Sequence, residues 1–223
     1  WSDDGSMLLY SAEKNRQWGI YVLDFKKMEE RLVVNVKGTS MAGDFFPGGE
    51  EFTLSSSSEG TPDIFTYNIK SANLNRITSD RGIEVSPAVS PDGSAIAFVS
   101  DRGGSPQIYS VDRMGYNTKR ITYEGTYNTS PNWSPKGDVI AFSGRREGKN
   151  QIFTVRPDGT GLMMLTQTGN NEDPSFSPDG RFIVFTSDRD GKKGIYIIRA
   201  DGEAERRVSP KDVEASSPRW SPR

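Results

Sequence analysis

A repeat of about 44 residues runs through the whole sequence. Its clearest marker is a turn of the Pro-Asp-Gly type, whose glycines are Gly5, Gly49, Gly93, Gly137 and Gly180, spaced by 44, 44, 44 and 43 residues. Four residues before each glycine stands an apolar side chain: Trp1, Phe45, Val89, Trp133 and Phe176, with the series continuing at Trp220. Fifteen and sixteen residues after each glycine come Ile20-Tyr21, Ile64-Phe65, Ile108-Tyr109, Ile152-Phe153 and Ile195-Tyr196. A register kept at so many independent positions constrains the fold more than composition does. Each unit must be the same supersecondary element and must bury its apolar face on its neighbours.

Each unit reads as four short strands. Ala95–Ser100 and Phe182–Ser187 are β-branched and aromatic, with glycine turns on either side. Gln107–Val111 and Gly194–Ile198 follow as partners, then shorter strands near Arg120–Thr122 and Arg207–Ser209, then the strand that runs into the next Pro-Asp-Gly turn. No helical period competes with this pattern. Four strands in 40–45 residues is the period of a β-propeller blade. The expectation is an all-β propeller forming one domain over residues 1–223. Its repeats fall at about 1–38, 39–82, 83–126, 127–169 and 170–212, and a closing strand spans 213–223. Residues 214–221 are expected to be innermost beside residues 6–36, which would close five blades into a ring without an exposed sheet edge. Trp133 and Phe176 are expected between blades.

Composition narrows the chemistry. The net charge of the 223 residues is −2, which lacks the basic excess a nucleic-acid binder uses to displace counterions. Histidine and cysteine are both absent, so no Ser-His-Asp triad, thiol nucleophile or imidazole metal cluster can be built. No apolar run approaches a membrane span. A Gly-x-Ser-x-Gly elbow is also missing. No catalytic residue, cofactor or metal ligand is therefore expected. A pair of carboxylates acting on a glycosidic bond stays open on composition alone.

The segments Phe176-Ser177-Pro178-Asp179-Gly180 and Phe185-Thr186-Ser187-Asp188-Arg189 resemble the repeat of the TolB family. The segment Arg120-Ile121-Thr122-Tyr123-Glu124-Gly125 and the ending Pro218-Arg219-Trp220-Ser221-Pro222 are similar to the same family, so the resemblance covers the whole chain. It implies a non-enzymatic, periplasmic protein-binding scaffold of the Tol–Pal cell-envelope system, linked to cell division. The implied partners are a Pal-like peptidoglycan-associated lipoprotein and a TolA-like protein, with no nucleic acid and no membrane-spanning segment. TolB propellers have six blades and follow an α/β domain. The alternative to a closed five-bladed ring is thus an incomplete six-bladed TolB propeller. The alternative functions are the propeller of a peptidase-like or carbohydrate-active enzyme, or a sugar- or peptide-binding module.

The Asp101-Arg102 and Asp188-Arg189 corners recur at one blade position and read as turns whose carboxylates satisfy backbone N–H groups. Asp188 is placed on the face away from the strand-entry loops. Asp92, Asp179 and the variant Lys136 belong to turns too, since a calcium loop needs several alternating carboxylates. The loops that enter each innermost strand vary while the strands repeat. Thr39, Ser40, Glu84, Val85, Asn128, Thr129, Asn171, Glu172, Asp173 and Glu214 are the candidate partner-binding residues there. The resemblance implies that this end receives Pal.

Overall fold

Short runs of β-branched and aromatic residues between glycine turns leave the chain few alternatives to antiparallel hairpins. The computed structural model describes residues 1–14 and 16–222; Asn15, in the first repeat, and Arg223, in the expected closing strand, lie outside the described residues. Blade 1 holds β1 (Met7–Lys14), β2 (Gln17–Asp24) and β3 (Glu29–Val34). Blade 2 holds β4 (Ser40–Phe45), β5 (Glu51–Ser56), β6 (Asp63–Asn68) and β7 (Asn73–Arg76). Blade 3 holds β8 (Glu84–Val89), β9 (Ala95–Ser100), β10 (Gln107–Asp112) and β11 (Lys119–Arg120). Blade 4 holds β12 (Asn128–Trp133), β13 (Ile140–Arg146), β14 (Lys149–Val155) and β15 (Met163–Met164). Blade 5 holds β16 (Asn171–Phe176), β17 (Phe182–Ser187), β18 (Gly194–Arg199) and β19 (Arg206–Arg207). Neighbouring strands pair antiparallel in chain order. The molecule is a five-bladed β-propeller, and its described residues contain no helix.

The core is not one cluster but a set of slabs between sheets. Leu9, Ile20 and Val22 of blade 1 pack on Phe52, Leu54 and Phe65 of blade 2. Phe46 and Ile64 meet Ile96, Phe98 and Tyr109 across the next junction, and Val99 and Ile108 meet Ile140 and Phe142 across the one after. Phe176, Ile183 and Phe185 of blade 5 pack on Ala141 and Ile152 of blade 4. Phe176 is buried in this last slab, and Trp133, half-buried, packs on the slab between blades 3 and 4. Burying such aromatic side chains removes roughly 1.5–3 kcal/mol of unfavourable hydration each.

The end of the chain departs from expectation. Residues 213–222 form no strand, and the sheet of blade 1 has three strands rather than four. Ser2 already holds the exit position of an innermost strand in blade 1. Its N–H donates to the Met7 carbonyl at 2.9 Å, as the Ser90 N–H does to Ala95 and the Ser177 N–H to Phe182. Trp1 and Trp220 therefore share one register position, and the tail cannot take the place that Trp1 and Ser2 occupy. The tail docks on blade 5 instead. The Ala215 N–H donates to the Lys193 carbonyl at 3.1 Å, and the Ser217 N–H to Thr186 Oγ1 at 2.8 Å. These repeat the bonds from Asn128 N–H to Pro106 O and from Asp173 N–H to Ser143 Oγ.

Candidate functional site

At the entry end, successive residues of each innermost segment take different roles. Thr39, Ile83, Tyr127, Asn170 and Glu214 occupy equivalent rim positions, and the rim loops are held from below. Asp101 Oδ1 accepts from the Ile83 N–H at 2.7 Å, Asp188 Oδ1 accepts from the Asn170 N–H at 2.7 Å, and Ser57 Oγ accepts from the Thr39 N–H at 2.9 Å. The Ser-Asp-Arg corners are thus structural, as expected for a carboxylate in a turn. Asp188 stands at the entry end and not on the far face, because the second strand of each blade runs back toward the rim.

The next position, Ser40, Glu84, Asn128 and Asn171, is buried. Ser40 Oγ lies 2.9 Å from Ser56 Oγ, Asn128 Nδ2 donates to Gln107 Oε1 at 2.8 Å, and Asn171 Nδ2 donates to Gln151 Oε1 at 2.8 Å. Glu84 pairs with Arg102. Asn128 and Asn171 join neighbouring blades, Ser40 and Glu84 bond within their own, and none of the four offers a surface to a partner, although a polar residue beside a turn reads from sequence as a rim residue.

Val85, Thr129 and Glu172 come next and are half-buried. Glu172 accepts from Asn170 Nδ2 at 2.8 Å, Asn150 Nδ2 at 3.0 Å and Lys193 Nζ at 3.2 Å. Burial pushes its carboxyl up, but these three donors outweigh burial and hold it below the ordinary range. One residue further, Asp173 reaches the central channel. Its carboxylate accepts from Ser130 Oγ at 3.0 Å and Ser217 Oγ at 2.8 Å. Ala42, Ser86, Ser130, Asp173 and Ser217 line a cavity of about 190 Å³ on this axis. A wider cavity of about 550 Å³ lies at the exit end, walled by Phe45, Trp133, Phe176 and Trp220.

Thr39 and Glu214 are exposed. The rim also presents side chains that sequence reasoning missed: Ile83 is 48% exposed and Tyr123 is 70% exposed, with Tyr127 and Val213 beside them in the register. An apolar residue in a chain of alternating strands reads as core. The signal that separates these four is their place in the entry loops rather than in a strand. The entry end is therefore a mixed rim of apolar and polar side chains around a narrow axis. That composition suits contact with a protein surface.

Among the described residues, no three His, Cys, Asp or Glu side chains stand close enough to hold a metal ion. Nor, among the described residues, is there a helix long and apolar enough to cross a membrane.

The model of the TolB beta propeller domain matches residues 1–223. The chain belongs to this family. The Tol-Pal system protein TolB of Francisella tularensis subsp. mediasiatica (strain FSC147) is 32% identical over 81 residues, which span 35% of this chain and 18% of that protein. The crystal structure of TolB from Acinetobacter baumannii superposes with a TM-score of 0.91 at 29% identity, over 99% of this chain and 56% of that one. The chain thus covers little more than half of its structural relative. An oligogalacturonate lyase in complex with manganese shares the fold at a TM-score of 0.69 and 16% identity, over 94% of this chain and 63% of that one.

Proposed function

We propose that the chain is the propeller of a periplasmic TolB-like protein in a Tol–Pal cell-envelope system. It acts there as a non-enzymatic scaffold that receives a Pal-like peptidoglycan-associated lipoprotein on the entry rim. The observation that carries this reading is the family match over residues 1–223, together with relatives named as Tol-Pal system proteins. The rim supports it physically. Ile83, Tyr123 and Tyr127 supply apolar and aromatic contact area, while Glu214 and Thr39 provide a polar margin. Of the ten residues first assigned to partner binding, Thr39 and Glu214 remain contact residues, Glu172 and Asp173 brace the rim, Val85 and Thr129 are half-buried beside them, and Ser40, Glu84, Asn128 and Asn171 are buried beneath it.

The test is titration calorimetry with the Pal-like lipoprotein of the same organism, its lipid removed. Replacing Ile83→Asp and Glu214→Lys together is expected to weaken binding about tenfold or more with an unchanged melting temperature, since neither side chain has a buried partner. Lys136→Glu, in an exposed turn at the exit end, is the control and should bind as the parent does. Equal loss in the control, or full binding by the rim variant, moves the partner to another surface.

A further inference from the structure

At each junction between blades, a residue at the start of a third strand lies beside the second residue of the next entry segment. One backbone bond recurs there: the N–H of Glu84 donates to Pro62 O at 2.8 Å, that of Asn128 to Pro106 O at 2.9 Å and that of Ala215 to Lys193 O at 3.1 Å. The paired side chains change together along the chain. They are small with small at Gly19 and Ser40, amide with amide at Gln107 and Asn128 and again at Gln151 and Asn171, and small with small at Gly194 and Ala215. Between blades 2 and 3 they are acid with acid, Asp63 and Glu84. Asp is one methylene shorter than Gln and Glu one longer than Asn, so the exchange preserves the combined reach.

The amide junctions are bridged by an N–H donor at 2.8 Å. Two ionised carboxylates have none to offer. Asp63 is 1% exposed and Glu84 is fully buried, and Asp63 Oδ1 and Glu84 Oε2 are both buried without a hydrogen-bond partner. Dry, unpartnered carboxylate oxygens are costly. We propose that Asp63 and Glu84 share one proton at neutral pH, a carboxylic acid donating to a carboxylate where the other junctions use an amide. The junction between blades 2 and 3 is then a latch that protonation closes.

The surrounding charges fit one proton. Arg76 Nη2 donates to Asp63 Oδ2 at 2.6 Å but also bonds Glu59 at 2.7 Å through Nη1. Arg102 donates to Glu84 Oε1 and bonds Asp80 at 2.7 Å. Ser100 Oγ adds a contact of 3.4 Å to Glu84 Oε1, and Asp101 is occupied by the Ile83 N–H. Each guanidinium is divided between a buried and an outer carboxylate, so the six charges of Asp63, Glu84, Glu59, Asp80, Arg76 and Arg102 sum to an acidic excess. The flanking guanidiniums repel a metal ion, whereas a proton supplies the donor that the pair lacks. Burial also pushes the Asp63 carboxyl up; Arg76 opposes this, and the charge of Glu84 adds to it.

A carboxyl raised in the folded state stabilises the fold below its unfolded value, and that contribution is lost as pH rises through the folded value. Carboxyl-carbon NMR of the folded protein reads the pair directly. One proton should remain on the pair above the ordinary carboxylate range. In Glu84→Gln the new amide donates to Asp63, which should then be ionised where the parent pair still holds its proton. In the double variant Asp63→Gln, Glu84→Asn, which rebuilds the amide junction, the melting temperature should gain on the parent as pH rises from about 5 to 8. If both parent carboxyls titrate at or below the ordinary range, the proposal fails. The parent titration decides this whether or not the double variant folds.

Discussion

At the scale of single residues, four of the side chains first assigned to a partner, Asn128, Asn171, Glu172 and Asp173, tie blades together. Glu172 is the clearest case, because its oxygens collect Asn150 from blade 4 and Asn170 and Lys193 from its own blade. The lowered carboxyl value has a consequence with a definite sign. A carboxyl depressed on folding stabilises the protein above its unfolded value, near 4.5 for Glu, and that stabilisation disappears as pH falls through the folded value. Glu172→Gln does not titrate. The parent should therefore melt higher than Glu172→Gln at pH 6 to 7, and the gap should close between about pH 5 and 3. A gap of constant size across that range would mean that Glu172 contributes through packing alone. Sequence made Glu172 visible as an acidic loop residue but not as a tie between blades. Its donors Asn150 and Lys193 come from other segments of the repeat.

At the scale of elements, the Pro-Asp-Gly turns explain why glycine is the best marker of the register. Gly93, Gly137 and Gly180 all have φ near +71 to +73°, where an L side chain is strained. Each also approaches the proline of the same turn one blade earlier. A Cβ on Gly93 would stand 3.0 Å from Pro47, on Gly137 3.3 Å from Pro91 and on Gly180 3.2 Å from Pro135. Gly148, in the β13–β14 hairpin, has φ +82° with open space around it. Gly148→Ala should thus cost about 1 kcal/mol for conformation alone. Gly180→Ala should cost measurably more in urea denaturation, because it also pushes on the neighbouring blade. Equal losses would remove the turn-to-turn contact from the account. The same geometry made most elements legible in advance. Turns impose residue types at fixed offsets, so the strands between them could be bounded. The outermost strands β11, β15 and β19 are two residues each, and sequence only located their neighbourhoods. Few of their side chains are buried, so little in the pattern marks where such a strand stops.

At the scale of the whole molecule, the repeat predicted the blades but not the closure. Counting strands per blade made residues 214–221 look like the missing strand of blade 1. Counting register positions shows why they are not, since Trp1 and Trp220 are equivalent and Ser2 already makes the exit-turn bond to Met7. The tail holds the place of a sixth innermost strand against blade 5, and β1 pairs on one side only. The contacts between innermost strands run in succession, β4 on β8, β8 on β12 and β12 on β16, while β1, the second strand of its blade, packs on β4. Stability in such an array is set by each blade and by its nearest-neighbour interfaces. Blade 3 has two full apolar slabs, one shared with blade 2 and one with blade 4, whereas the described slab of blade 1 lies toward blade 2. Opening of blade 1 sacrifices one slab, and opening of blade 3 sacrifices two. Native-state hydrogen exchange should therefore rank the amides of Ile20 and Val22 as less protected than those of Phe98 and Ile108, with the latter exchanging only through global unfolding. In dilute denaturant, blade 1 should form a separate opening unit with a smaller dependence on denaturant concentration. Equal protection across blades 1 and 3, with a single shared denaturant dependence, would mean that the edge of β1 is covered in solution.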